Sequence, residues 1–427
     1  MNPTELKMNR TDLKKPELLA PAGDMERLKA AVKYKADAVY LGGSVFGMRT
    51  APENFGGEKL KIACDYCHER GVKVYLTVNT LPRNDEIEKL PSFLQNAKES
   101  GVDAFIISDL GVLEYAKKYA PEVEIHISTQ AGIVNFAAAN AFYHLGAKRI
   151  VTARELSLSE IEGIRKNIPS DMDIECFVHG AMCVSFSGRC LLSNYLVSRD
   201  CNRGDCAQPC RWKYALVEEK RPGMYFPLED SEDGGTYILN SKDMCMIEHI
   251  PELIRAGVTS FKIEGRAKSE YYVSVVTNAY RRAIDGYFEN PSDDYKPEPW
   301  LLDEMRKISY RDYCTGFFFG DPKDDASISL RGGYNREWDV MGIVEKWENN
   351  TAFCTQRNRF FEGDELEVLE SDKPPFKLKA ENLKNKDGEA IEATNHPLME
   401  FSFDCPVPLE EGAILRKERA EAQRVII

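Results

Sequence analysis

The sequence predicts an α/β fold, a TIM-type (β/α)8 barrel with a cysteine-rich insertion after strand seven, joined to a small C-terminal all-β domain. Three observations predict it. Short apolar runs rich in β-branched residues alternate with helical patterns from the start of the chain. Eight such runs occur before residue 270, the number that closes a parallel barrel. Beyond about residue 293 the alternation gives way to strands separated by turn signals.

The elements follow in order. Glu17 to Ala20 is the first strand; it ends at Pro21-Ala-Gly-Asp24, and the helix Met25 to Lys33 follows. Ala38 to Leu41 is the second strand, with a Gly-rich loop and a helix around Lys59 to Arg70 behind it. Val72 to Val78 is the third, backed by a helix from Asp85 to Ser100. Ala104 to Ile107, Val123 to Ile127, Arg149 to Thr152 and Ile174 to Val178 continue the series. Ser260 to Glu264 is the eighth strand, followed by a helix from Ser269 to Asp285. The barrel is expected over 1–290 with its cysteine-rich loop at 180–245, a linker and helical extension over 291–338, and a β-barrel-like module over 339–427. Within that module Met341 to Lys346, Asp364 to Leu369 and Met399 to Phe403 read as strands, with turns at Gly363-Asp364, Asp387-Gly388 and Glu411-Gly412.

Composition narrows the function classes. With 43% hydrophobic and 29% charged residues the chain is globular, not disordered. The formal net charge of −13 opposes broad non-specific binding to nucleic acid, although a local basic groove stays compatible with it. The polar N-terminus lacks a secretory core, and no run approaches the ~20 apolar residues that span a bilayer. A cytoplasmic protein without a membrane partner is therefore expected, and there thiols stay reduced.

That expectation governs the cysteines. Six of the twelve lie between Cys176 and Cys210, five of them in the loop that leaves strand seven at the catalytic face of a barrel. Metal ligation or catalysis is the natural use for them, with inert buried thiols as the plain alternative. Structural zinc normally uses paired C-x2–4-C knuckles; only Cys206 and Cys210 have that spacing, so zinc is not favoured. Iron–sulfur clusters accept more dispersed thiolates. The string Cys64-Asp-Tyr-Cys67-His68 matches a haem-attachment motif but falls in a predicted helix. Neither H-E-x-x-H nor G-x-S-x-G occurs. His179 follows strand seven directly and is a candidate for proton transfer or for orienting the cysteine loop.

Polar residues gather at other strand ends: Asp24, Asn79, Thr80, Gln130, Arg154, Glu155, Glu264 and Arg266. Each alone reads as a helix cap or a salt bridge. As a ring, with Arg189 from the loop, they outline a mouth suited to a small anionic substrate, because arginine binds carboxylates and phosphates in bidentate fashion.

The run from Glu175 to Ser193 fits E-x-F-x-x-G-[SA]-[LIVM]-C-x4-G-x-C-x-[LIVM]-S at every position. It resembles the peptidase U32 family, long described as collagenase-like. Glu17-Leu-Leu-Ala-Pro-Ala-Gly-Asp24, Ala36 to Gly42, Asn240-Ser-Lys-Asp243, Lys262-Ile-Glu-Gly-Arg266 and Gln356-Arg-Asn-Arg-Phe360 extend the resemblance over nearly the whole chain. The length and the β-module look most like the branch that hydroxylates tRNA at the wobble uridine, U34, to 5-hydroxyuridine without oxygen. The resemblance implies a [4Fe–4S] cluster on Cys183, Cys190, Cys206 and Cys245, with Cys210 as an alternative to Cys206. It also implies prephenate as co-substrate, tRNA as partner and a possible related U32 subunit. His179, Arg189 and Glu264 are the catalytic candidates; Asn79, Gln130, Arg154 and Arg266 are the substrate-binding ones. Lys213, Lys220 and Arg221 beside Trp212 and Tyr214, or Arg357 and Arg359, are candidate RNA contacts. The competing expectations are a collagenase-like peptidase, hydroxylation of another RNA or small molecule, and a binding module that uses metal only as structure.

Overall fold

The computed structural model describes residues 14–48, 54–212, 214, 216–217, 220, 223, 225–226, 241–320 and 334–425. The described residues divide into two compact units, one within 14–298 and 311–320, the other within 299–310 and 334–425. The stretch 291–338, expected as linker and extension, is thus shared between them.

The first unit alternates strand and helix as its hydrophobic pattern requires. In order come β1 (Glu17–Ala22), α1 (Met25–Lys33), β2 (Ala38–Gly42), α2 (Glu58–His68) and β3 (Lys73–Val78). Next are α3 (Asn84–Ile87), α4 (Leu90–Glu99), β4 (Ala104–Ile107), α5 (Leu110–Tyr119), β5 (Glu124–Ile127) and α6 (Phe136–His144). The series continues with β6 (Arg149–Val151), α7 (Leu158–Lys166) and β7 (Asp173–Ala181). Asp85 to Ser100 is two helices rather than one, because Pro91 at the start of α4 lacks the N–H that a continuous helix needs. After β7 come α8 (Leu192–Val197), a short hairpin of β8 (Leu216–Val217) with β9 (Tyr225–Phe226), then β10 (Asp243–Cys245), α9 (Ile250–Arg255), β11 (Ser260–Ile263) and α10 (Glu270–Glu289).

Strands β1 to β7 pair in parallel sequential order. β11 pairs in parallel with both β7 and β1, which closes an eight-stranded barrel. Leu19, Ala38, Tyr40, Tyr75, Ala104 and Ile106 fill part of its interior. Two strands outside the sequence expectation extend one edge: β10 runs antiparallel to β7, and β12 (Tyr313–Cys314) runs parallel to β10. The buried Asp243–Arg311 pair, at 2.6 Å, ties them together.

A polar network lies under the barrel core. Arg149 bridges Glu17 at 2.6 Å and Glu175 at 3.1 Å, while Lys262 holds the other oxygen of Glu175 at 2.7 Å. Burial raises the cost of every charge here, so each is compensated by a partner.

The second unit begins with α11 (Pro299–Lys307). Its seven-stranded antiparallel sheet runs β16-β15-β19-β13-β14-β18-β17, formed by β13 (Tyr334–Glu348), β14 (Thr351–Gln356), β15 (Glu365–Leu369), β16 (Phe376–Lys379), β17 (Glu381–Asn385), β18 (Glu400–Asp404) and β19 (Ile414–Val425). Arg416 of β19, fully buried, pairs with Glu304 of α11 and Glu367 of β15. Among the described residues no helix is long and apolar enough to cross a membrane.

Candidate active site

The C-terminal ends of the barrel strands and the cysteine-rich loop enclose a cavity of about 350 Å³. Tyr40 and Thr77 line it from the barrel wall; Asn79, Gln130, Arg154, Glu264 and Arg266 line it from the strand ends. Five cysteines line it from the loop: Cys183, Cys190, Cys201, Cys206 and Cys210.

The loop is positioned by side chains from its surroundings. Glu155, just after β6, accepts the Ser187 backbone N–H at 2.7 Å and its hydroxyl at 3.0 Å, which fixes Ser187 in the left-handed region at φ 48°. Asn202 donates to the Cys190 carbonyl at 3.1 Å, and the Cys201 thiol bonds to that same carbonyl. Ser193 accepts the Ala207 N–H at 3.0 Å. These ties bring Cys183, Cys190, Cys206 and Cys210 within electrostatic reach of one another.

Three of those sulfurs already accept backbone amides. Leu192 N–H meets Cys190 Sγ at 3.3 Å, Gln208 N–H meets Cys206 Sγ at 3.4 Å, and the Ser185 N–H bonds to Cys183. Amide donors to sulfur stabilise thiolate and tune iron–sulfur centres. Burial raises the Cys183 thiol, opposed by the Ser185 amide and by Arg154. Burial likewise raises Cys210, opposed by Arg211. Thiolates are the donors that iron–sulfur and zinc centres use, but among the described residues no group of three or more His, Cys, Asp or Glu side chains is placed to hold a metal ion.

Cys245 is elsewhere. It pairs in register with His179 across β10 and β7 and does not line the cavity. Its surroundings are Tyr280, 4.0 Å from the sulfur, and Cys314, and burial pushes its thiol up to about 11. Cys210, the alternative to Cys206, lines the cavity together with Cys206.

His179 also lies off the cavity. The rings of Tyr272, Tyr280 and Tyr313 surround it at 5.9, 5.5 and 5.5 Å, and burial lowers its pKa to about 3. It is a neutral buried side chain against the outer face of β7. Arg189 is exposed and donates to the Gln130 carbonyl at 2.7 Å, outside the lining. Glu264 does line the cavity, with Arg154 3.8 Å away.

Each substrate-binding candidate lines the cavity. Asn79 Oδ1 accepts the Met48 N–H at 3.0 Å, and Gln130 Oε1 accepts from Ser108 at 3.3 Å. Arg154 donates to the Ala181 carbonyl at 2.9 Å with its guanidinium 3.9 Å from the Phe177 ring centre. Arg266 donates to Thr77 at 2.9 Å, and a Cβ on Gly42 would come within 2.4 Å of its Nη1, so glycine makes room for it. Asp24 is the cap of α1, accepting the Arg27 N–H at 2.9 Å, and Thr80 bonds the Phe46 carbonyl at 3.1 Å. Lys262 of β11 lines the cavity and was not among the expected residues; its two-residue spacing from Glu264, just beyond the strand, is the signal that places both on the cavity side.

Of the expected RNA contacts, Lys213 and Arg221 lie outside the described residues. Trp212 and Lys220 are exposed, and Tyr214 donates to the Pro209 carbonyl at 2.6 Å. In the second unit Arg359 lies 4.8 Å from the Phe361 ring centre, and Arg357 bonds the neighbouring Gln356 carbonyl.

The family model for peptidase family U32 matches residues 23–328, and the model for its C-terminal domain matches 336–416. The chain belongs to peptidase family U32. This U32 protein is 36% identical to tRNA hydroxylation protein P1 of Bacillus subtilis over 96% of both chains. It is 35% identical to tRNA hydroxylation protein P of Escherichia coli, over 96% of this chain and 98% of the relative. A collagenase of Porphyromonas gingivalis is 36% identical over 82% of this chain and 86% of its own.

Proposed function

We propose that this U32 protein is a tRNA-modifying enzyme that hydroxylates the wobble uridine without oxygen, using a [4Fe–4S] cluster and prephenate. The observation that carries the proposal is five loop thiols at one cavity that also presents Arg154 and Arg266; Cys201 is spent on the Cys190 carbonyl, which leaves Cys183, Cys190, Cys206 and Cys210. The names of the relatives that match nearly end to end support the same activity. Cys183, Cys190, Cys206 and Cys210 would hold the cluster, which would supply a redox-active iron centre beside the cavity. Arg154 and Arg266 bind and orient an anionic co-substrate, while Asn79 and Gln130 offer neutral polar contacts. The peptidase alternative gains no support from this geometry: among the described residues no histidine lines the cavity, so its thiols and hydroxyls have no imidazole base.

The test is anaerobic purification of the wild type and of five single Cys→Ser variants, at 183, 190, 206, 210 and 245, with iron and sulfide quantified. Each variant is also expressed in cells lacking the gene, and their tRNA nucleosides are analysed by mass spectrometry. The expected outcome is about four iron and four sulfide in the wild type, loss in the four cavity variants, and retention in Cys245→Ser. 5-Hydroxyuridine is expected only where iron is retained. Iron that persists in Cys210→Ser and disappears in Cys245→Ser would reassign the fourth ligand. A wild type that binds no iron would end the cluster reading.

A further inference from the structure

The floor of the cavity holds a cation with unused hydrogen-bonding capacity. Lys262 is 4% exposed, lines the cavity and has its Nζ 2.7 Å from Glu175 Oε1. The rings of Tyr40 and Phe177 flank it at 4.5 and 5.3 Å. An ammonium carries three N–H donors, and a buried donor without an acceptor is costly. Among the described residues Glu175 is the one hydrogen-bond acceptor that meets Lys262. That carboxylate is itself shared, since its Oε2 accepts from Arg149 at 3.1 Å and Ser260 at 3.4 Å. Lys262 is therefore held in place by a partner whose charge is divided between two cations, and it still has donors to offer.

The cations above it are similarly fixed. Arg266 is anchored on Thr77, and Arg154 on the Ala181 carbonyl and the Phe177 face. At the barrel end of the cavity Arg154, Lys262 and Arg266 outnumber the lining carboxylate Glu264. Ile106, Val151 and Met182 add apolar wall between floor and mouth. We propose that Lys262 is a substrate-binding residue that takes one carboxylate of a compact dicarboxylate at the cavity floor, while Arg154 and Arg266 take the other. The ligand enters with one acid group leading and rests its apolar body between the two charged ends. This assignment deepens the anionic co-substrate reading above and rests on it.

The test compares prephenate, with two carboxylates, and phenylpyruvate, which keeps the pyruvyl carboxylate but lacks the ring carboxylate and ring hydroxyl; the variant then isolates the part of any preference that depends on Lys262. Both are titrated calorimetrically into the full-length, anaerobically purified protein. Lys262→Met alone would strand Glu175, so the variant is Lys262→Met/Glu175→Gln, with iron content and thermal melting as checks on the fold. The wild type is expected to prefer prephenate by at least about tenfold, as loss of a charge-assisted hydrogen bond implies. The double variant, with iron and melting intact, is expected to bind the two probes alike. A preference that survives in the variant overturns the assignment of Lys262. A wild type that binds both probes equally overturns the two-carboxylate site while leaving an anion site in place. A wild type that binds neither overturns the anionic co-substrate reading as well.

Discussion

At Gly180 the requirements of one residue reach directly into the site. Its φ of 107° lies where an L side chain is strained, and a Cβ there would come within 2.4 Å of the Glu264 carbonyl oxygen. Gly180→Ala is therefore expected to destabilise the barrel by about 2 kcal/mol or more, and to weaken anionic ligand binding by shifting the backbone at Glu264 that leads to Arg266. Urea unfolding together with prephenate titration checks both effects. At this scale the sequence was informative where side chains are read by strand position. Asn79, Gln130, Arg154, Glu264 and Arg266 all follow or end strands, and all line the cavity. It was less informative about a loop's path: Cys206 and Cys210 both line the cavity, while the cross-strand pairing with β7 keeps Cys245 out of the lining. Cys64 and Cys67 lie buried in α2, where burial pushes both thiols up to about 12.

Elements were recognised where their hydrophobic pattern is strong, and missed where a different interaction carries them. The eight barrel strands are continuous apolar runs because helices cover the sheet outside and side chains fill it inside. β19 reads Ile-Leu-Arg-Lys-Glu-Arg-Ala-Glu-Ala-Gln-Arg-Val, a charged run with no sheet signature, yet it is flanked by β15 and β13. Its place depends on Arg416, which is fully buried and satisfied by carboxylates from α11 and β15. Arg416→Met should leave Glu304 and Glu367 with Lys307 as their remaining cation and cost about 1–3 kcal/mol. Denaturant unfolding of the full chain, followed by circular dichroism, would register that loss in the β-unit's transition. A transition unmoved by the substitution would show that the pair contributes no net stability. β10 was missed for a related reason, since it is short and is secured by the Asp243–Arg311 pair, not by a hydrophobic run.

For the whole molecule, the network beneath the barrel links stability to acid. Burial alone would raise the Glu17 carboxyl, but the Arg149 guanidinium and hydrogen bonds from Arg149 and Tyr75 outweigh it and hold the group at about 2, below its ordinary 4.5. A depressed folded value means that this contribution is complete above about pH 4.5 and is lost as pH falls toward 2. The size is roughly 3 kcal/mol by linkage. Unfolding measured between pH 5 and 2 should show this loss, and Glu17→Gln should flatten part of the slope; an unchanged slope would assign acid sensitivity to other groups. The closing strand has a consequence of another kind. β11 completes the barrel by joining β7 to β1, yet it follows the whole cysteine-rich segment in the chain. During synthesis Cys183 through Cys210 emerge before the residues that shut the barrel, and such long-range closure is slow compared with local helix and hairpin formation. The order of translation thus leaves these thiols facing solvent while the ring is still open, and only the arrival of β11 gives them the walls of a cavity.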